Sequence, residues 1–136
     1  MKEALRVGAA VVSGVLLWGL LWNLGTAGLA AVFPAELAGV ERIESAPLLL
    51  LMIAYSTLLS MAVGWLAARI GRDTAFIATL VLGVVNLAIG ILVQTIYWEM
   101  MPLWYHLLFL AVILPATLFG GRLGGATRTA MNPDNA

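Results

Sequence analysis

Between Asp73 and Glu99 the chain runs for 25 residues, Thr74 to Trp98, without a charged side chain. At about 1.5 Å rise per residue, a helix of that length exceeds the ~30 Å hydrocarbon core of a bilayer, so the run predicts a transmembrane helix. Within it Thr79, Gly83, Asn86, Gly90 and Gln94 are spaced by offsets of four, three, four and four, which puts them on one helix face. An amide in hydrocarbon needs a partner, so this face suits a neighbouring helix or a small cavity. We expect the other helices to pack around it.

Three further uncharged runs predict three further spans. Together the spans cover about 7–30, 47–69, 74–98 and 103–121. With 62% hydrophobic and 10% charged residues in a chain of 136, no room is left for a folded soluble domain. The expected fold is an all-α integral membrane protein, a single antiparallel bundle of four transmembrane helices, with 122–136 as a flexible cytoplasmic tail. The opening MKEALR ahead of an apolar stretch imitates a secretory leader, but Val7 to Leu24 outlasts a leader's apolar core. In the loop from Pro34 to Ala46, Leu37, Val40 and Ile43 recur every three residues, which suits a short interfacial helix. Asp73 is the expected N-cap of the third span, and Pro115 is expected to kink the fourth.

Lys2, Arg6, Arg69, Arg72, Arg122 and Arg128 fall on one side of this arrangement and only Arg42 on the other. The positive-inside rule then sets both termini in the cytoplasm, in a plasma membrane of the bacterial inner-membrane kind. Tyr97, Trp98, Trp104 and Tyr105 bracket the last hairpin as an interfacial aromatic belt.

Several chemistries are excluded. The chain has no cysteine, hence no disulfide, thiolate metal site or iron–sulfur cluster. One histidine supplies neither two haem ligands nor a zinc site, and no glycine-flanked nucleophile surrounds Ser56 or Ser60. We expect no cofactor, no metal and no catalytic residue. Net charge is zero without a basic cluster, so no nucleic acid partner is expected. No Asp, Glu, Lys or Arg lies within a span, where ion-driven transport usually keeps one. The four-helix small multidrug transporters are of similar size, but that family depends on a first-helix glutamate; here only Glu3 stands nearby, ahead of the run.

Two readings remain. Ser56, Ser60, Gly64 and Ala68 form a small-xxx-small ladder, and Gly83, Gly90, Gly120 and Gly124 extend the close-packing motifs. They point to a non-enzymatic membrane protein acting through helix packing, as a homo-oligomer or as an accessory subunit of another membrane protein, in contact with lipid. The alternative is binding or transport of a neutral or amphipathic molecule or lipid in a polar pocket. Its candidate residues are Asn23, Tyr55, Ser56, Asn86, Gln94, His106 and Glu99, with His106 at its mouth. Trp18 and Trp22, four apart, provide an aromatic surface suited to lipid-facing or core packing, or to a stacking wall for a quinone or lipid tail.

Overall fold

The computed structural model describes residues 1–38 and 41–131, with 126–131 described by backbone alone. Its elements are α1 (Lys2–Val32), α2 (Pro34–Leu37), α3 (Ala46–Gly71), a 3-10 turn at Arg72–Thr74, α4 (Ala75–Ile96), a second 3-10 turn at Trp98–Met100, and α5 (Leu103–Met131). There is no strand among the described residues. Three helical stretches, Lys2–Val32, Ala46–Ile96 and Leu103–Gly125, are long and apolar enough to cross a membrane. The middle one reverses at the first 3-10 turn, where Arg72 has a φ of 52° and a ψ of −111°. That geometry matches the first central position of a type II′ turn, which favours glycine. Gly71 stands just before it, and a Cβ there would come within 2.9 Å of the Ala78 Cβ, so α3 and α4 leave the turn in close contact.

The most extensive helix pair is α3 with α5. A Cβ at Gly64 would overlap the Thr117 carbonyl oxygen, one at Gly120 would overlap the Met61 carbonyl oxygen, and one at Gly124 would lie 2.6 Å from the Trp65 carbonyl oxygen. Each helix therefore lays bare Cα atoms against the other's carbonyls, the approach that small residues allow and that Cα–H···O contacts favour. Ser56, Ser60 and Ala68 are buried on the same side of α3. The whole small-residue ladder thus faces the interior of this one chain and offers no surface to a second copy.

On the other helices the same logic is less severe. Gly83 and Gly90 of α4 admit Leu114 and Ile113 of α5, and Gly121 of α5 admits the Thr79 side chain. Gly14 of α1 receives Leu82 of α4. α1 is tied to α3 by the Trp18 Nε1–H, which donates to Ser60 Oγ at 3.2 Å, and by the Tyr55 hydroxyl, which donates to the Leu21 carbonyl beside Gly25. α1 and α5 flank the α3–α4 pair, since each touches both of those helices broadly.

Polarity is distributed in the reverse of a water-soluble core. Ser56, Ser60, Thr79, Asn86, Gln94, His106 and Thr117 are buried, while large apolar side chains such as Leu16, Leu58, Phe76, Leu92 and Leu107 are exposed. Ser56 Oγ has no hydrogen-bond partner. Ser56→Ala is therefore expected to be neutral or to stabilise by up to about 1 kcal/mol, whereas Ser60→Ala, which strands the Trp18 N–H, costs about 1 kcal/mol. Thermal unfolding of the two variants in detergent, followed by circular dichroism, separates them.

Several local expectations are corrected. No helix spans the Leu37–Ile43 period: α2 stops at Leu37, and residues 42–45 are irregular, with Ile43 buried and its N–H donating to the Met100 carbonyl at 2.8 Å. Val40 lies outside the described residues. Thr74, and not Asp73, occupies the N-cap position of α4, with its hydroxyl donating to the Gly71 carbonyl. The fourth span does not end at residue 121: α5 contains Pro115 and continues as helix to Met131, with Gly120 and Gly124 packed against α3. Residues 132–136 of the expected tail lie outside the described part.

Candidate functional site

Near the turn the α3–α4 pair is closed by Val63, Ala67, Ala78 and Leu82. Towards the other end, where the connections 33–45 and 97–102 meet, larger side chains take over. There Trp22 of α1 meets Phe109 of α5 edge-on, with ring centroids 5.4 Å apart. Beside this contact lies a cavity of about 230 Å3 lined by Trp18, Trp22, Asn23 and Thr26 of α1, Met52 of α3, Gly90, Val93 and Gln94 of α4, and Tyr105 and Phe109 of α5, among others.

Its aromatic wall is ordered by stacking. Trp18 and Trp22 lie 5.5 Å apart with planes 12° from parallel, as their four-residue spacing on one helix face allows, and Tyr105 packs against Phe109 at 5.6 Å. Its polar wall is Gln94. The Tyr105 hydroxyl is fully buried beside the Gln94 side chain and has no surface open to the cavity.

His106 stands behind this wall and does not line the cavity. It is buried, and Trp98 stacks on its ring at 4.7 Å. Its Nε2 lies 3.1 Å from the carbonyl oxygens of both Trp98 and Met101, so Nε2 carries the hydrogen and donates to the turn. In the neutral ring Nδ1 is then an acceptor. Nδ1 meets the Oε1 end of the Gln94 amide, and turning that amide about to present its isosteric NH2 group satisfies the contact. His106 thus clamps the second hairpin and fixes Gln94. This corrects the expectation of a histidine at the mouth of a pocket.

The other predicted pocket residues divide. Asn23 lines the cavity at an exposed position, its Nδ2 donating to the Gly19 carbonyl at 2.8 Å. Tyr55 turns away to α1 and borders a separate apolar groove with Gly25 and Leu51. Ser56 and Asn86 are buried in the helix packing, each with an unpartnered side-chain atom, and neither lines the cavity. Glu99 is exposed in the second 3-10 turn. Reasoning from sequence missed Tyr105 and Phe109 as lining residues. The signal available was their four-residue spacing with Ile113, which marks the inward face of α5.

No protein-family model matches the chain, and no curated protein and no solved structure shows significant similarity to it.

Proposed function

We propose that this is an integral membrane protein of the plasma membrane, of the bacterial inner-membrane kind, in which α1, α3, α4 and α5 each cross the bilayer. In this reading the cavity at the loop end binds a neutral or amphipathic small molecule. The observation that carries the binding reading is the cavity itself: about 230 Å3 of space bounded by stacked indoles and without a charged side chain in its lining. Insertion is supported by the apolar exterior over a polar interior. Six Lys and Arg at the turn end against Arg42 at the loop end support cytoplasmic termini and a cavity in the outer half of the membrane. No catalytic role is assigned to any residue, since both ring nitrogens of His106 serve the bundle's own contacts.

A second reading, assembly with another copy or a larger membrane protein, is favoured by one observation. Of the four long helices α1 is the least covered, with only Ala10 and Gly14 buried. Such an interface uses the outer face of α1 and not the small-residue ladder.

The absence of native cysteine makes orientation directly testable. In intact cells a membrane-impermeant maleimide is expected to label Glu99→Cys and to reach Glu3→Cys only after permeabilisation; the reverse pattern overturns the orientation. Native mass spectrometry of protein released gently from its membranes tests the two functional readings. A monomer carrying one small molecule per chain supports binding, and an oligomer or a stoichiometric protein partner without a ligand supports assembly.

A further inference from the structure

A second recess lies at the turn end, apart from the cavity. It holds about 230 Å3 and is lined from α4 and α5 alone, by Phe76 of α4 and by Leu118, Gly121, Arg122 and Gly125 of α5, among others. Gly121 is buried while Phe76 and Arg122 are exposed, so the glycine lies at its base and the two long side chains stand at its rim. The space exists because α5 presents no side chain there. Gly121 is held against Thr79, and a Cβ at Gly125 would meet nothing within 4 Å among the described residues. In the bilayer proposed above, the recess faces lipid at the level where α4 begins, which is the cytoplasmic surface.

Its lining combines two chemistries. Arg122 is the single charged residue in it, no carboxylate accompanies it, and it makes no ion pair among the described residues. A guanidinium offers paired N–H donors that match the oxygens of a phosphate. Leu118, one helical turn deeper in the membrane than Arg122, and the ring of Phe76 offer apolar surface. A free phosphate would use only the first of these and a bare hydrocarbon chain only the second. A phospholipid uses both, at the depths where a bilayer already places its parts.

Charge selects among phospholipids. Lys2, Arg6, Arg69, Arg72 and Arg122 are dispersed in the sequence, and the order of the helices gathers them at the turn end against Glu3 and Asp73. This excess of cations attracts a lipid of net negative charge and repels the ammonium of a zwitterionic one.

We propose that the recess between α4 and α5 binds an anionic phospholipid of the cytoplasmic leaflet, with its phosphate on the Arg122 guanidinium and an acyl chain along Leu118 and Phe76. This rests on the membrane orientation read above and not on the cavity at the loop end.

The test is native mass spectrometry of the full chain in a neutral detergent, titrated with dioleoylphosphatidylglycerol. Dioleoylphosphatidylcholine and inorganic phosphate serve as comparisons. The expected result is one phosphatidylglycerol per chain, held about tenfold more tightly than phosphatidylcholine and not displaced by millimolar phosphate. Arg122→Gln is expected to weaken its retention about tenfold. Arg6→Gln removes the same charge from the same end but outside the recess, and is expected to leave retention nearly unchanged. Gly125→Leu keeps the guanidinium and fills the recess; it is expected to weaken retention as much as Arg122→Gln, with the unfolding temperature unchanged or raised. Equal losses in Arg6→Gln and Arg122→Gln would show a diffuse cationic face and overturn the site. Undiminished retention in Arg122→Gln and Gly125→Leu overturns the placement. Phosphatidylcholine held as tightly overturns the ligand class, and displacement by inorganic phosphate overturns the choice of a lipid over the free ion. Absence of a retained lipid, with Glu99→Cys labelled from outside as expected, removes this inference and leaves the orientation standing. Reversed labelling with the lipid retained overturns the orientation and the assigned leaflet.

Discussion

Gly64→Ala and Gly120→Ala are each expected to destabilise the bundle by about 3 kcal/mol or more, the largest effects in the chain. In both cases the added methyl overlaps a main-chain carbonyl of the facing helix, Thr117 for Gly64 and Met61 for Gly120. A flexible side chain would rotate aside, but a carbonyl moves only with its helix, so α3 and α5 must separate along their length. Overpacking ordinarily costs about 1–3 kcal/mol, and a rigid obstacle sets the upper end of that range. Separation also breaks the neighbouring contact of Gly124 with Trp65, so the loss is not confined to one turn. Gly8→Ala and Gly19→Ala are the controls, since a Cβ meets nothing within 4 Å at either position. They are expected to be neutral or to stabilise by about 0.5–1 kcal/mol through helix propensity. Thermal unfolding in detergent micelles ranks all four. Gly64→Ala and Gly120→Ala unfolding with their controls would mean that the α3–α5 contact does not hold the protein together.

His106→Ala is the second large effect, at about 3 kcal/mol. Its removal deprives the Trp98 and Met101 carbonyls of their shared donor, leaves the Gln94 amide without its anchor and removes the ring on which Trp98 stacks. Each buried group left unpaired costs about 1–3 kcal/mol, reduced here because the turn carbonyls are only partly buried. His106→Phe separates the contributions. It keeps an aromatic surface for Trp98 and offers no hydrogen bond, so it is expected to recover only a minor part of the loss. The readout is the unfolding temperature together with the fluorescence of Trp98, isolated by replacing the remaining tryptophans with phenylalanine. A stable His106→Ala variant with unchanged Trp98 emission would show that the clamp is dispensable.

How much of this was legible beforehand differs from residue to residue. That the chain is helical, with apolar stretches long enough for a membrane, followed from uncharged runs such as Thr74–Trp98, because length and hydropathy are local quantities. The shared face of Thr79, Gly83, Asn86, Gly90 and Gln94 was legible for the same reason: helical period alone sets which residues lie together, and all five are buried. Belt composition marked Tyr105 and His106 as lying near a membrane surface. It reports depth and not rotation about the helix axis, and both side chains turn inward while Trp104, a belt residue directly before them, stays exposed.

By itself, then, the sequence determined the helices, their apolar exteriors and the small residues that let backbones meet. Only the tertiary structure decided that the Ser56–Ala68 ladder is used within the same chain, by α5 at Gly64 and Ala68 and by Trp18 of α1 at Ser60, since a small-residue face specifies a close approach and not the partner that makes it. It alone decided the cavity, whose lining is drawn from α1, α3, α4 and α5 together. A void is a property of how several helices diverge, and no single stretch of chain encodes it.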